Sequence, residues 1–415
     1  MRATRIAILT AGHLCHNPRV TKEASALARS GCDVEILGAW FEPELKARDQ
    51  AMLQSMHFKF TPVIDLSSTR LSARALGLSL RVRSKAARAL FRWTGLPSSF
   101  LLGLATGALR RTAQELDADL YIAHLEPSLP VALALLRSGR RVGVDMEDWY
   151  SEDLLPDARQ RRPIAMLADL ERQVLRDCAY ATCPSHAMSE ALTIDYGCRP
   201  PTVVYNAFPW SGRASSDHLL VDRKDRQIPS IHWYSQTVGP GRGLEDLFSA
   251  LPGLKFETEI HLRGRPVPGF EEWLASLVPV HFRHRVFLHA LVPNEQLLSR
   301  IEEHDIGFAG EMKFCRSRDL TVTNKILEYL LAGLAVVASD TTGQREVAAQ
   351  APDAVFLYPS GDSSSLASSL NVLLGSRQML QSAKQAALRA AEERFCWERQ
   401  ERAFLEAVMR AVNAP

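Results

Sequence analysis

Two segments in the second half of the chain place a cation where a helix begins. In Gln236-Thr-Val-Gly-Pro-Gly-Arg-Gly243, an apolar strand pattern empties into glycines and Arg242, and a helical pattern follows from Leu244 to Leu251. Gly241 and Gly243 flank the arginine, so backbone N–H groups and a guanidinium gather at a helix N-terminus, which suits a diphosphate. The same residues also read as a Gly/Pro-rich turn with a solvated arginine. In Thr321-Val-Thr-Asn-Lys325, Thr323 or Asn324 can cap a helix over Ile326 to Ala332 that Gly333 ends. Lys325 then meets an anion at the positive end of the dipole, and Glu328 lies one turn beyond Asn324 on the same face. A carboxylate there can accept two ribose hydroxyls, although alone Glu328 reads as a surface residue. In the first half, the strand Leu120 to Ala123 delivers His124 at its carboxyl end, where open α/β sheets bind ligands. A lone histidine is more often structural. Gly12, after the first strand, permits close backbone approach to a ligand and equally suits a tight turn.

Other chemistries lack their residues. Thr10-Ala-Gly-His-Leu-Cys15 is not the Gly-x-Gly-x-x-Gly of a nicotinamide-binding loop, and no Gly-Lys-Ser/Thr of a P-loop occurs. Asp117-Ala-Asp119 precedes a strand and reads as a solvated turn. Cys178 and Cys183 have no His or Cys partners at zinc spacing, and no metal is expected.

Strand, loop and helix must alternate to position these groups, and they do so in two series. The first begins with a strand Arg5 to Leu9, a loop to Asn17, a helix from Pro18 to Ser30 closed by Gly31, and a strand Asp33 to Leu37. Short buried strands follow at 120–123 and 142–144, then a strand into a helix capped by Ser185, then 202–205. From Trp210 to Pro229 the chain is polar and patternless, which predicts a linker. The second series has strands at 230–235, 259–262, 286–288, 306–308, 335–338 and 354–357. Two doubly wound parallel α/β domains facing a cleft are expected, 1–208 and 209–390, which the family resemblance described below would make the acceptor-binding and donor-binding domains. A helix over 391–415 is expected to cross back to the first.

The bulk properties agree. The 415 residues are 46% apolar, 23% charged and 7% aromatic, proportions that exclude collagen-like, disordered and disulfide-scaffold chains. Seven scattered cysteines and a start that runs directly into a strand, without a signal-peptide core, predict a reducing, cytoplasmic location. The best apolar stretch, Phe100 to Leu109, is about half the length a spanning helix needs. Net charge is only +2, but Leu66 to Gln114 holds nine basic residues and no acidic one. On a helical wheel over 70–92, Arg70, Arg74, Arg81, Lys85, Arg88 and Arg92 fall within roughly 60°. Leu76, Leu80, Val82, Leu90, Phe91 and Trp93 lie on the other side, and Gly77 is a candidate break. Arg81, Lys85, Arg88 and Arg92 therefore form either a membrane or acceptor surface, peripheral on the inner face of the plasma membrane, or the solvated side of an ordinary packed helix.

Together these residues resemble the GT-B fold glycosyltransferases, specifically the bacterial group-1 retaining family (mannosyltransferase and sucrose-synthase-like). His16-Asn-Pro-Arg-Val20 with Glu23 is similar to that family's first helix, and Ala181 to Ser185 with Tyr205-Asn206 to its domain-end strand and linker. Gly241-Arg-Gly243 is similar to its donor-phosphate loop, Asn324 to Tyr329 with Val336 to Asp340 to its nucleotide-binding helix and strand, and Arg394 to Glu398 to its late crossover. The resemblance implies transfer of a sugar from a UDP- or GDP-linked donor to a glycan or lipid-linked acceptor, without metal or other cofactor and with no nucleic-acid partner. It implies that Arg242 and Lys325 neutralise the leaving diphosphate, Glu328 holds the ribose, and His124 contacts the sugar or the reacting centre. Gly12, Gln236, Gly241, Gly243 and Asn324 would complete the donor site. Two positions depart from the pattern: Leu320 stands where the family has the first glutamate of its Glu-x7-Glu pair, and Gln236 where it commonly has arginine or serine-glycine. A nucleotide-sugar epimerase of the same fold, or a degenerate GT-B protein that binds without turnover, are the alternatives.

Overall fold

Every pairing between the described strands is parallel, and the strands fall into two sheets. The computed structural model describes residues 2–223 and 226–414; of residues 156 and 157 it describes the backbone alone. The first sheet contains β1 (Arg5–Leu9), β2 (Asp33–Trp40), β3 (Lys59–Asp65), β4 (Leu120–His124), β5 (Val142–Asp145), β6 (Tyr180–Cys183) and β7 (Thr202–Val203), in the order β3-β2-β1-β4-β5-β6-β7. The second contains β8 (Ser230–Val238), β9 (Glu259–Pro266), β10 (Val286–His289), β11 (Ile306–Ala309), β12 (Ala335–Ser339) and β13 (Val355–Tyr358), in the order β10-β9-β8-β11-β12-β13. Both orders reverse direction beside the first strand of their set, and the carboxyl ends at such a switch are where ligands bind.

Strands buried on both faces need continuous apolar runs rather than alternation. Ile6, Ala7, Ile8 and Leu9 of β1 and Val336 and Val337 of β12 are accordingly fully buried. The helix Pro18–Arg29 begins with Asn17, whose side chain accepts from the Val20 N–H, and Gly31 follows it at φ 90°, a left-handed conformation suited to glycine. Residues up to 184, with 188–204 and those from 401 on, make one compact unit; 185–187 and 205–400 make the other. The last long helix, Trp397–Asn413, thus begins in the second unit and belongs mostly to the first, where Arg29 binds Glu401 at 2.7 Å.

Two sequence expectations need correction. The tract 210–229, read as linker-like, is packed: Trp210–Ser215 forms a short 3-10 helix, and the N–H groups of Val221, Asp222 and Arg223 all donate to Glu303. The buried Arg223 guanidinium donates to the Glu303 and Ile228 carbonyls and to Asp305, at 2.6–2.9 Å. The side-chain partners of Arg223, Glu303 and Asp305, are charged and 80 and 82 positions away, so hydrophobic patterning is blind to them; Lys224 and Asp225 lie outside the described residues. Gly77 does not break the basic segment, which is one helix, Leu71–Thr94, with Gly77 buried beside Leu66. A mid-helix glycine costs about 1 kcal/mol relative to alanine, and close seating against the body offsets that. Among the described residues no helix is long and apolar enough to cross a membrane.

Candidate active site

In the first unit, five charged side chains converge beyond β4 and β5. Arg19, from the helix Pro18–Arg29, donates to Asp145 at 2.5 Å and to the Val204 carbonyl at 3.0 Å. One turn on, Glu23 meets His124 Nε2 at 3.0 Å, and His124 Nδ1 meets Glu147 at 3.0 Å. Both imidazole nitrogens face carboxylates, so both carry protons. Burial alone would lower the His124 pKa, but the charge of Glu23 and hydrogen bonds to Glu147 and Glu23 raise it to about 10. Burial pushes Glu23 up, with Asp145 adding to it, while Arg19 and His124 outweigh burial at Asp145 and hold it below the usual carboxylate range. Ligand atoms of Glu23, His124 and Asp145 lie within 4.8 Å of one another, a spacing that would suit a metal ion. Arg19 and the imidazolium already supply the positive charge there.

The structure places His124 differently from the expectation that it touches a sugar. It is fully buried, and Glu147 stands between it and an open cavity of about 270 Å³ lined also by Gly12, His16, Phe41, Glu42 and Leu125. Asn17 holds the same Glu147 oxygen at 3.0 Å through its side-chain nitrogen while capping the helix through its oxygen. Leu125, directly after His124, has φ 65°, a strained conformation for a branched residue and one that clusters at functional sites. Gly12 borders the cavity with no atom within 4 Å of where a Cβ would stand. The loop carrying it is pinned by buried Asp49, which accepts from the N–H groups of Leu14 and Cys15, from Trp40 Nε1 and from His13 Nδ1. His13 Nε2 in turn accepts from the Phe41 and Glu42 N–H groups.

In the second unit, three of the expected donor residues are tied to three successive residues of β8. Lys325 lies over the Trp233 ring at 5.7 Å, Glu328 accepts the Tyr234 hydroxyl, and Arg242 donates to Ser235 Oγ at 3.1 Å. Glu328 is buried, not a surface residue, because the helix Asn324–Ala332 is buried on almost every side. Burial drives the Tyr234 pKa well up, with Glu328 adding to it, so the phenol stays protonated and donates. Lys325 is also paired with Glu311 at 2.7 Å; burial would raise the Glu311 pKa, but Lys325 outweighs it and holds it below the usual range. Asn324 sits at the helix start and accepts from the Asn206 side chain at 3.0 Å. Gly243 is required: at φ 80°, a Cβ there would come within 1.7 Å of the Gly310 oxygen. Gln236 belongs to β8 rather than to the loop, exposed where the register with β9 shifts between Tyr234 and Thr237. The Gly241 N–H, expected to face phosphate, donates to Glu245 at 2.6 Å, so that Arg242, Lys325 and the helix start at Asn324 remain as positive groups.

Glu147, Asp49 and Glu311 escaped the sequence reading, and Arg19 entered it only as part of His16-Asn-Pro-Arg-Val20, with no role given to it. Asp145-x-Glu147 at a strand's carboxyl end is a signal that points to Glu147, but nothing local marks Glu311 as the partner of Lys325. Asp319, beside Leu320, instead caps the helix Thr342–Gln350 by accepting from the Thr342 N–H and hydroxyl.

Comparison with known proteins accords with this arrangement. Residues 16–207 match the model of the glycosyl transferase 4-like domain. Among solved structures, Anabaena HepE in complex with UDP-glucose is similar at 16% identity and TM-score 0.67, covering 98% of this chain and 99% of its own. Sucrose-phosphate synthase from Thermosynechococcus elongatus is similar at 14% identity and TM-score 0.72, covering 99% and 100%. A putative UDP-N-acetylglucosamine 2-epimerase from Listeria monocytogenes is similar at 13% identity and TM-score 0.56, covering 100% and 98%. No curated protein matches the sequence. Residues 16–207 are therefore similar to a glycosyl transferase 4-like domain, and the chain as a whole shares the fold of these structures, GT-B, with two Rossmann-like parallel-sheet units.

Proposed function

We propose that the protein is a retaining hexosyltransferase that moves a sugar from a UDP- or GDP-linked donor to a glycan, glycolipid or other small acceptor, in surface-polysaccharide or glycoconjugate assembly. The observation that carries this reading is the alignment of Lys325, Glu328 and Arg242 along Trp233, Tyr234 and Ser235. A nucleoside diphosphate needs positive charge for its phosphates and a hydroxyl acceptor for its ribose. Lys325 has protons beyond the one Glu311 takes, Arg242 is exposed, and Glu328 accepts a phenolic hydroxyl as it would a ribose hydroxyl. Preorganised cations at the departing diphosphate stabilise the charge that develops there, the part a divalent ion plays in other enzymes. Retention by front-face attack asks for no carboxylate nucleophile. In the first unit, Glu147 on the cavity wall is the group to accept a hydrogen bond from an acceptor hydroxyl, oriented by Asn17 and His124. The enzyme would work in the cytoplasm, peripheral on the inner face of the plasma membrane.

HepE, of similar fold, has been crystallised with UDP-glucose, which favours a nucleotide-sugar donor here. The epimerase neighbour keeps a second chemistry in view. Incubation with UDP- and GDP-sugars distinguishes them. Nucleotide release that requires an acceptor supports transfer; isomerised donor with no acceptor means epimerisation; binding without turnover means a degenerate protein.

A further inference from the structure

We propose that the outward face of the helix Leu71–Thr94 docks the enzyme on an anionic phospholipid bilayer. At about 100° per residue, the helix seats Ala73, Gly77, Leu80, Ser84, Ala87 and Phe91 toward its own unit. Gly77 and Ser84 are buried, and Ser84 Oγ donates to the Phe100 carbonyl at 3.3 Å. Diametrically opposite lie Leu71, Leu78, Val82 and Trp93, which are 81, 63, 56 and 87% exposed. A surface helix ordinarily turns its apolar stripe inward. This one packs Leu80 and Phe91 inward with the small residues, on the opposite side from Val82 and Trp93, and leaves a second apolar row, Leu71, Leu78, Val82 and Trp93, in water, which packing on its own unit does not account for. Between the two faces runs the stripe of Arg70, Arg74, Arg81, Lys85, Arg88 and Arg92, all exposed.

That combination selects the occupant. The outward apolar face suits acyl chains, a tryptophan near its end suits the headgroup boundary, and a one-sided row of arginines suits lipid phosphates. A second copy of the chain fits poorly, because no acidic residue occurs from Leu66 to Gln114 to pair with the opposing stripe. As a route to a lipid-linked acceptor the inference rests on the transferase reading, whereas the docking itself is read by vesicle binding.

The test is flotation of the full-length protein with vesicles of phosphatidylcholine alone or mixed with phosphatidylglycerol. The wild type should float with the anionic vesicles only. Two variants, Arg81→Gln/Lys85→Gln/Arg88→Gln/Arg92→Gln and Leu78→Ser/Val82→Ser/Trp93→Ser, should each bind at least about tenfold more weakly. Arg81→Lys/Arg88→Lys/Arg92→Lys, which keeps the charge, should retain binding. Every substituted side chain faces solvent, so melting temperatures should match the wild type. Wild-type protein that ignores anionic vesicles, variants that bind as well as wild type, or a solution dimer abolished by the serine variant would each overturn the proposal. Nucleotide-sugar binding, measured on the same preparations, separates the two readings: docking without it removes the transferase, and nucleotide binding without docking removes the bilayer.

Discussion

Histidine is buried in both units, and the two settings hold it in opposite protonation states. In the first unit His124 stands among Glu23, Asp145 and Glu147 and is held protonated. In the second, His232 and His304 stack at 4.6 Å, His304 and His261 lie at the same separation, and His261 Nδ1 meets His289 Nε2 at 3.0 Å. Burial drives the His232 and His304 pKa values far down and that of His261 to about 3, with neighbouring histidines and Arg223 or Arg263 adding to it; His289 shifts the same way. Neighbouring charge, not burial, decides which form is kept: carboxylates overrule desolvation in one unit and cations reinforce it in the other.

The contrast predicts opposite responses to pH. The unfolded chain takes up protons on these histidines near pH 6.5, while the folded second unit refuses them until far lower. The second unit's histidines therefore contribute to stability fully above about pH 6.5 and progressively less below it, while Glu23 and Glu171, which burial raises to about 7, take up protons in the folded state and offset part of that loss. Denaturant unfolding at pH 7.5 and 5.5 measures this, and equal midpoints would break the comparison. His124 acts in the other direction: its contribution is complete below about pH 6.5 and is lost as pH rises through about 10.

Substitution sharpens the same contrast. Arg19→Met strands Asp145 without its cation and should cost about 3–5 kcal/mol. Adding Asp145→Asn should recover part of that, and a full-cost double variant would show that the pair is not what matters. His232→Phe is the mildest change: neither ring nitrogen has a hydrogen-bond partner among the described residues, so stability at pH 7.5 should move by less than about 1 kcal/mol. The decline in acid should become shallower. A large loss at neutral pH would mean the imidazole is doing something its surroundings do not explain.

Much of the scaffold was legible in the sequence because parallel strands buried on both faces are written as apolar runs. The strand Arg5–Leu9 and the central strands of the second sheet follow from that rule within a few residues, the helix Pro18–Arg29 follows from its apolar period and Gly31, and β10, although partly exposed, is marked by Val286-Phe-Leu288. β3 and the helix Pro43–Leu53 did not, since β3 is only partly buried and carries Pro62 and polar residues. Candidate site residues stood out in the sequence only where a local device marks them. Arg242 stands between glycines and Lys325 at a helix start, but their distinguishing partners, Ser235 and Glu311, belong to other elements. The Arg19 network joins residues more than a hundred positions apart, and no local pattern encodes such a contact.

The central claim is that the second unit receives a nucleoside diphosphate at groups held along β8. Calorimetric titration with UDP or GDP, whichever raises the melting temperature more, tests it in Arg242→Ala and in Lys325→Met/Glu311→Gln, which removes the ammonium without stranding its carboxylate. Each is predicted to weaken binding about 10–100-fold relative to wild type. Unchanged affinity in both variants would contradict the account.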